Sequence, residues 1–213
     1  MIYKDKKLVN WDTVLKTAIS DLEVDQREVN SKIYYIKYPI DDTNEFITIA
    51  TTRPETMLGD TAIAVNPKDE RFKSLVGKTV TIPIVARKIK IIEDDYADPE
   101  QGTGALKITP AHDFNDYEVG QRNNLEIINI FTKAGKINKN THKDYIGLDR
   151  FEARKRILKK LKEEEFFVKE ENIKNKVPYG DRSNSIIEPF LTEQWFADAE
   201  KLSVKAKEVV NSK

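Results

Sequence analysis

Many short strand-like segments separated by turn residues constrain the fold of this chain more than any other feature. Residues 32–38 and 45–50 are rich in β-branched and aromatic side chains, and turn-forming residues lie between them, so 32–50 predicts a β-hairpin. Similar runs predict strands at 60–65, 79–85, 87–92, 105–109, 127–131 and 186–191. These runs do not alternate with helices in a βαβ order. We therefore expect an α+β fold, a small, mostly antiparallel β-barrel decorated with helices.

Helical patterns are fewer than strand patterns. A proline near its start and a glycine just past its end predict a short helix over 67–75, and another helix is expected to end near Asn123. Asp149 and Glu152 form the capping box of a third helix. Apolar residues that recur at helical spacing predict an amphipathic helix at the end of the chain: Trp195, Ala199, Leu202, Ala206 and Val209.

Composition excludes several kinds of site. The 213 residues include no cysteine, which excludes disulfides, thiolate metal sites and cysteine nucleophiles. Lysine plus arginine and aspartate plus glutamate both number 36, so the net charge is zero and any RNA contact needs a local basic patch. No long apolar run or signal peptide is present, so we expect a cytoplasmic protein without a membrane contact. We expect neither a metal site nor a cofactor.

Residues 102–116, Gly-Thr-Gly-Ala-Leu-Lys-Ile-Thr-Pro-Ala-His-Asp-Phe-Asn-Asp, combine a strand, a turn and a helix start. Asp113 and Asp116 are three residues apart, which places both carboxylates on one face of a helix. Two acids beside free backbone N–H groups could bind a small molecule that carries an ammonium and a hydroxyl group. The alternative is structural: one acid caps the helix and the other favours its dipole.

A second polar segment, 51–56, follows the predicted hairpin directly. Its sequence, Thr-Thr-Arg-Pro-Glu-Thr, forms a stiff loop rich in donors at the end of a strand, where functional loops commonly lie. Arg53 could bind a phosphate or carboxylate through both arms of its guanidinium, or it could form a surface salt bridge.

The third predicted helix is strongly basic. Arg154, Lys155 and Lys159 lie on the part of this helix that does not carry its apolar stripe. A charged face of this kind is commonly just solvated, but its positive bias also suits a phosphate backbone.

The two polar segments together resemble a known family. Residues 51–62, Thr-Thr-Arg-Pro-Glu-Thr-Met-Leu-Gly-Asp-Thr-Ala, followed by 102–120, look like the editing insertion of class I valyl-tRNA synthetases. The resemblance begins at 8–11 and extends through 147–154 to 188–196, so it covers nearly the whole chain. Isoleucine relatives lack the Arg-Pro-Glu-Thr form, and leucine relatives differ downstream of Thr-Thr-Arg-Pro. Asn66 replaces the histidine expected there.

The resemblance implies an organisation in three parts. Residues 1–30 would be a stub at the junction with the synthetase core, 31–176 the editing domain, and 177–213 a return segment with the final amphipathic helix. The ATP-handling signatures His-Ile-Gly-His and Lys-Met-Ser-Lys-Ser are absent from this sequence. We therefore expect an excised, monomeric piece that lacks the ATP site of the parent enzyme. Its expected partners are tRNA(Val) carrying threonine and the rest of the synthetase chain.

The resemblance also implies a reason for the activity. A pocket that accepts valine cannot strongly reject threonine, in which a hydroxyl replaces a methyl, and valyl-tRNA synthetase is itself the standard example of this difficulty. A second pocket that requires the hydroxyl would exclude valine, because valine would leave polar groups unpaired. The implied reaction is hydrolysis of threonyl-tRNA(Val). Two other functions stay open: a tRNA-docking module that is inactive in isolation, and a free-standing deacylase.

Residue roles follow from the same resemblance. Asp116 would bind the substrate ammonium, and Asp113, with Lys107 and Thr109, would frame the hydroxyl. Arg53 and Thr56, with Thr51 and Thr52, would hold the terminal adenosine and the ester. Lys107 would also place water or stabilise the developing oxyanion. His112 could act as a general base, although a structural contact is the favoured interpretation. Water positioned by a ribose hydroxyl would attack the ester without a protein nucleophile. The site residues expected from the resemblance fall into three groups. The catalytic residues are Asp116, Lys107 and Thr56, and the substrate-binding residues are Thr51, Thr52, Arg53, Thr109, Asp113 and His112. The tRNA-binding residues are Arg154, Lys155 and Lys159.

Overall fold

The computed structural model describes residues 2–212, which form ten strands, three α-helices and several short 3-10 helices. The helices are α1 (Phe114–Arg122), α2 (Arg150–Glu163) and α3 (Ala199–Asn211). The strands are β1 (Ile2–Asp12), β2 (Thr17–Ala18), β3 (Val24–Pro39), β4 (Phe46–Thr51), β5 (Ala62–Val65), β6 (Thr79–Thr81), β7 (Lys88–Glu93), β8 (Ala105–Ile108), β9 (Phe167–Gly180) and β10 (Glu188–Ala197).

The predicted hairpin is confirmed, with β3 as the central strand of one sheet and β4 at its edge. Strand β3 pairs with β4 from Tyr34 opposite Thr51 to Pro39 opposite Phe46, and its other edge pairs with β9. Both pairings are antiparallel, and the strand order is β4-β3-β9. Thr51 is the last residue of β4, so the sheet fixes the position at which the polar loop begins.

A second sheet has the order β6-β7-β5-β8. Strand β5 pairs parallel with β7 and antiparallel with β8, whereas β6 and β7 are antiparallel. A third sheet has the order β10-β1-β2. The mostly antiparallel α+β class is confirmed, but the strand pairings of residues 2–212 give three open sheets rather than the predicted closed barrel. Closure requires each strand to be paired on both edges, and strand-like sequence alone does not determine those partners.

The main core lies between the first two sheets, α2 and the 3-10 helix Pro54–Gly59. Tyr38 and Ile49 from the hairpin are fully buried, as are Ile63 of β5 and Ile157 of α2. All six residues of Pro54–Gly59 are buried, so the loop after β4 is part of the core and not a surface connection. This packing holds the polar loop rigidly against the sheets.

Several predicted elements differ from the structure. The helix predicted over 67–75 is reduced to the 3-10 helix Lys73–Leu75, and the strand predicted at 127–131 is only a single bridge between Phe131 and Ile137. The strand predicted over 79–85 ends at Thr81, and Ile84 further on has a φ of 73°. A β-branched residue in the left-handed region cannot continue a strand.

The two ends of the chain pair with each other. Strand β1 runs antiparallel to β10 from Ile2 opposite Ala197 to Trp11 opposite Glu188. Trp195, predicted in the final helix, therefore lies in β10, and α3 begins at Ala199. Strands β3 and β9 continue across positions 30 and 176 without a break, and the predicted domain boundaries stay a prediction. No helix within residues 2–212 is long and apolar enough to cross a membrane.

Candidate functional site

A cavity of about 240 Å³ lies where the loop after β4, strand β8 and the start of α1 meet. It brings the two polar sequence segments together, since Asp113 and Asp116 share it with four of the six residues 51–56. Apolar side chains form part of its wall. The lining residues are Ile33, Ala50, Thr51, Thr52, Arg53, Thr56, Tyr96, Leu106, Lys107, Thr109, His112, Asp113 and Asp116.

Lys107 is the centre of a buried hydrogen-bond network in this cavity. Its ammonium donates to Thr56 Oγ1 at 2.8 Å, to Asp60 Oδ1 at 3.0 Å and to Thr109 Oγ1 at 2.5 Å. The lysine is 6% exposed, and Asp60 is fully buried. An ammonium has three N–H groups, so protein oxygens occupy every donor of Lys107.

Asp60 was not among the residues that the sequence predicted for the site. Its Oδ1 accepts from Lys107 and from Thr109 Oγ1, the latter at 2.6 Å, and its Oδ2 accepts from Tyr38 OH at 2.7 Å. Tyr38 is fully buried. Burial, together with the neighbouring carboxylate, raises the pKa of Tyr38 well above its ordinary value, so its hydroxyl stays protonated and donates.

The two acids of the Asp-x-x-Asp motif have different environments. Asp113 caps α1, because its Oδ1 accepts from the backbone N–H groups of Asn115 at 2.9 Å and of Asp116 at 3.1 Å. Asp116 is 7% exposed, and its Oδ2 accepts from the backbone N–H of Thr109 at 2.8 Å. Burial, followed by the charge of Asp113, raises the pKa of Asp116 to about 7.

Neither Asp113 nor Asp116 pairs with a cationic side chain within 4.0 Å in the described part of the chain, whereas Lys107 is already paired with Asp60. The cavity thus holds two acids whose charge the protein does not neutralise by direct contact. A cationic group placed between them would gain Coulomb energy in a region that is partly shielded from water.

His112 makes a structural contact. Its Nε2 accepts from the backbone N–H of Ile130 at 3.0 Å, which places the proton of the neutral ring on Nδ1, 3.7 Å from Glu188 Oε1. The ring is 1% exposed and lies edge-on to Phe131. Burial, with the positive charges of Arg53 and Lys107, lowers the pKa of His112 well below its ordinary value. This geometry agrees with the structural interpretation, and a direct role in substrate binding stays a prediction.

Arg53 is held by the protein itself. Its guanidinium donates to the backbone oxygen of His112 at 2.8 Å and to the buried carboxylate of Glu188, and it lies 3.6 Å from Glu55 Oε1. Burial opposes its charge, but the carboxylates of Glu188 and Glu55 outweigh that effect and raise the pKa of Arg53. The residue fastens the loop after β4 to the start of β10.

Arg154 has a similar structural contact. Its guanidinium binds both oxygens of Glu55, at 2.6 and 2.7 Å, and Glu55 is fully buried. This pair joins α2 to the loop after β4. Lys155 and Lys159 are exposed for 78% and 81% of their side-chain surface, and each lies 3.8 Å from a glutamate of the same helix. Of the three predicted tRNA contacts, the two lysines are therefore the accessible ones.

Two further cavities share residues with the first. One, of about 330 Å³, also contacts Thr52, Arg53 and Asp113 and extends along α2 and β9. The other, of about 420 Å³, also contacts Tyr96 and Leu106 and extends along the loop 98–104. The cavity of about 240 Å³ that Asp113 and Asp116 line, called the acidic cavity below, is thus one part of a longer depression.

Comparisons with known proteins are consistent across the chain. The sequence model described as "tRNA synthetases class I (I, L, M and V)" matches residues 1–213. The valine–tRNA ligase of Pelagibacter ubique (strain HTCC1062) is 86% identical over 213 residues, which are 100% of this chain and 24% of that protein. Those of Caulobacter vibrioides and Thermotoga maritima are 50% and 51% identical over 232 and 212 residues, again covering all of this chain and 26% and 24% of the relatives. The chain therefore spans about a quarter of the length of these curated relatives.

A solved structure shows a similar fold. It is the ternary complex of the LeuRS of Agrobacterium radiobacter K84 with tRNA and LeuAMS, matched with a TM-score of 0.51 and 17% identity. The match covers 82% of this chain and 30% of that one.

Proposed function

The chain belongs to the class I tRNA synthetases of the isoleucine, leucine, methionine and valine group, and from this premise we propose that it hydrolyses the ester of threonyl-tRNA(Val). The predicted resemblance to the valine branch is confirmed by relatives that are 50% to 86% identical. One observation carries the proposal: two acids without a directly paired cation share a cavity of about 240 Å³ with several threonine hydroxyls. That combination suits an amino acid with both an ammonium and a side-chain hydroxyl.

The ammonium group of the substrate binds at Asp116 in this proposal. Its carboxylate is buried and lies next to Asp113, so the two acids repel each other and the pKa of Asp116 is raised to about 7. A substrate cation relieves that repulsion and favours the ionised form of Asp116. Asp113 keeps its role as the cap of α1 and adds to the negative potential at the same place.

The side-chain hydroxyl of the substrate binds at Thr56 and Thr109. Both hydroxyls accept a hydrogen bond from Lys107, and both line the cavity. A threonyl group can donate its hydroxyl to one of them. A valyl group would place a methyl against the same polar atoms and displace their water without replacing its hydrogen bond. This desolvation penalises valine by about 1–3 kcal/mol.

Hydrolysis itself needs only water in this proposal, and no cofactor. His112 is buried in a structural contact and is not placed as a base for a serine or cysteine nucleophile. Lys107 adds positive charge near the developing oxyanion while its hydrogens stay on three protein oxygens. The attacking water would be positioned by a ribose hydroxyl of the substrate, as the resemblance implies, with Thr51 and Thr52 at the cavity wall.

The terminal nucleotides of the tRNA would occupy the adjoining depression. The cavity of about 330 Å³ extends from Thr52 and Arg53 towards α2, whose exposed lysines Lys155 and Lys159 suit phosphate groups. Arg53 and Arg154 contribute by holding this surface in place through Glu188 and Glu55, and not as free phosphate ligands.

A direct assay tests this proposal. The chain is incubated with threonyl-tRNA(Val) and, separately, with valyl-tRNA(Val), and the release of each amino acid is followed. We expect release of threonine well above the uncatalysed rate, little release of valine, and loss of threonine release in a folded Asp116→Ala variant. Equal release of both amino acids, or full turnover by that variant, would contradict the proposed pocket.

A docking module that is inactive in isolation is the second candidate. Large apolar side chains are exposed on β10 and α3, including Trp195 at 71% and Val210 at 72%. Such faces suit contact with the remainder of a longer chain, and the chain covers only about a quarter of its relatives. Binding of uncharged tRNA(Val) without release of threonine in the same assay would favour this function.

A further inference from the structure

The loop 94–104 forms one wall of the acidic cavity, although it contains neither a helix nor a strand. Tyr96 of this loop is 40% exposed and lines both the acidic cavity and the neighbouring cavity of about 420 Å³. Burial, followed by the charge of Asp113, raises the pKa of Tyr96, so its hydroxyl faces the start of α1. A substrate that fills the acidic cavity would therefore contact this ring.

Side chains from outside the loop hold its first half. Asp94, where the loop begins, accepts from Arg122 at 2.8 Å and from Asn123 at 2.9 Å, both at the end of α1. The backbone oxygen of Ala97 accepts from Asn66 Nδ2 at 2.8 Å. Asn66, which stands where a histidine was expected, thus has a structural contact. These bonds fix the backbone on both sides of residue 96.

Arg71 holds the second half of the loop. Its guanidinium donates to the backbone oxygen of Pro99 at 2.9 Å and to the two carboxylate oxygens of Asp69 at 2.9 and 2.6 Å. Gly104, with a φ of 81°, leaves room for it, since a Cβ atom there would lie 2.5 Å from Arg71 Nη2. The planar guanidinium binds a carboxylate and a carbonyl at once, in a geometry that the ammonium of a lysine does not reproduce.

We propose that Arg71 is a positioning residue for the hydrolysis: by binding Pro99, it holds Tyr96 as a fixed wall of the acidic cavity. This inference rests on the proposed function. Arg71 lines none of the three cavities, so it acts only through the loop. A substrate that meets an ordered wall does not have to order it on binding. Arg71 therefore contributes to substrate binding and not to the chemical step.

Two substitutions of Arg71 separate its geometry from its charge. The side chain of Arg71 is 57% exposed, and Asp69 Oδ1 also accepts from the backbone N–H of residue 71 at 3.1 Å. Arg71→Ala should therefore fold, because Asp69 keeps a partner. Arg71→Lys keeps the positive charge and loses the planar fork.

Arg27→Ala is a matched control. Arg27 also pairs with the acid two residues before it, Asp25 at 3.1 Å, and also binds a segment far away in the sequence, at Asn184 Oδ1. Arg27 lines none of the three cavities and does not contact the loop 94–104 through a hydrogen bond. The control therefore removes the same kind of contact at another place.

The first experiment measures kcat and KM for threonyl-tRNA(Val) in wild type and the three variants. We expect Arg71→Ala to raise KM about three- to tenfold with kcat nearly unchanged, and Arg71→Lys to restore only part of the loss. Arg27→Ala should leave both constants unchanged. A wild-type KM in Arg71→Ala, full recovery in Arg71→Lys or an equal rise in Arg27→Ala overturns the proposal.

A double-mutant cycle tests whether Arg71 acts through the tyrosine ring. Tyr96→Ala should raise KM at least as much as Arg71→Ala does, because it removes the wall itself. The double variant should then resemble Tyr96→Ala, since two residues that act through one contact are not additive. Additive effects on KM overturn this route.

Hydrogen exchange separates the inference from the proposed function. Inside the loop, the backbone N–H groups of Gln101 and Gly104 donate to the oxygens of Asp98 and Gln101 at 3.1 and 2.9 Å. Amides of 97–104 should exchange faster in Arg71→Ala than in wild type or in Arg27→Ala. Unchanged exchange defeats the positioning role, whatever the turnover, whereas a wild-type chain that releases no threonine defeats the proposed function.

Discussion

The backbone N–H of Thr109 donates to Asp116 Oδ2 at 2.8 Å, and this single bond joins the end of β8 to the first turn of α1. Thr109 also takes part in the Lys107 network through its side chain. The acid predicted to bind the substrate ammonium and the hydroxyl predicted to recognise its side chain are thus fixed relative to each other through one residue. Titration of Asp116 should therefore affect both the stability and the activity of the chain.

The contribution of Asp116 to the stability of the folded chain should fall as the pH rises from about 4 to about 7. The pKa of Asp116 is raised from its ordinary value of 3.8 to about 7, chiefly by burial, so in this range the folded state holds a proton that the unfolded state has lost. The free energy of unfolding then decreases with pH, by up to about 1.4 kcal/mol per unit of pKa difference.

Urea unfolding of wild type and of Asp116→Asn at pH 4.5 and pH 7.5 measures this effect. The asparagine cannot titrate, so its stability relative to wild type should increase between the two pH values. Asp113→Asn keeps the helix cap and removes the neighbouring charge. Its stability should depend less on pH than that of wild type, because the charge of Asp113 no longer raises the pKa of Asp116. Identical pH dependence in wild type and Asp116→Asn would contradict the raised pKa.

The rate of threonine release should show two limbs against pH. As the pH rises through about 7, Asp116 ionises and binds the ammonium group better, so kcat/KM rises. Near pH 8 the α-amino group of the substrate begins to lose its proton, and kcat/KM falls. The measurement is the initial rate between pH 5.5 and 9 after subtraction of uncatalysed hydrolysis. Persistence of the rising limb in Asp116→Asn would assign it to another group.

The parts of the site that are local in sequence were predictable. The hairpin over 32–50 follows from its β-branched strands and turn residues, and the cap at Asp113 follows from its position before the first helical turn. The shared cavity of residues 51–56 and Asp116 was expected only through resemblance to a family, and the structure places both at one cavity.

The long-range charge pairs could not be predicted from local pattern. Arg53 and Glu188 are 135 residues apart, and nothing in either segment identifies its partner among the 36 acidic residues of the chain. The sequence pattern of 60–65 predicted Asp60 in a strand. In the structure it follows the 3-10 helix Pro54–Gly59 and accepts a hydrogen bond from Tyr38 of β3. Periodicity predicts which face of an element is buried, and it does not specify which buried polar groups meet.

Removal of Arg154 should destabilise the fold more than removal of an exposed arginine on the same helix. Arg154→Ala leaves the fully buried Glu55 without its bidentate partner, which we expect to lower the free energy of unfolding by about 3 kcal/mol. Arg156→Ala is the control, because Arg156 is about half exposed and lies 3.7 Å from Glu152, so the expected loss is at most about 0.5 kcal/mol. Denaturant unfolding of both variants measures the difference, and equal losses would show that the Glu55 pair contributes little.

Gly120 in α1 allows the helix to lie against the turn that carries the site. A Cβ atom at this position would lie 2.8 Å from Cγ and 2.9 Å from Cβ of Pro110, whose ring is too stiff to move aside. Gly120→Ala should therefore destabilise the fold by about 1–2 kcal/mol, although alanine is the better helix former. Gln121→Ala, at the exposed neighbouring position, should be neutral or slightly stabilising. Thermal unfolding compares the two, and a more stable Gly120→Ala would mean that α1 can shift away from Pro110.

Contact between α2 and tRNA phosphates should be visible in the salt dependence of binding. The double variant Lys155→Glu and Lys159→Glu replaces two exposed positive charges with negative ones and leaves Arg154 paired with Glu55. Each lost phosphate contact reduces the slope of log affinity against log salt by about 0.7–0.9, so the slope should become shallower by about 1.5 in total. Lys205→Glu with Lys207→Glu makes the same charge change on exposed positions of α3 and should alter the slope less. The measurement is the affinity of wild type and of both double variants for tRNA(Val) at 50 to 200 mM salt. Equal slopes in the two double variants would mean that the tRNA does not contact α2. A charge change that acts only at long range would affect the slope equally from either helix.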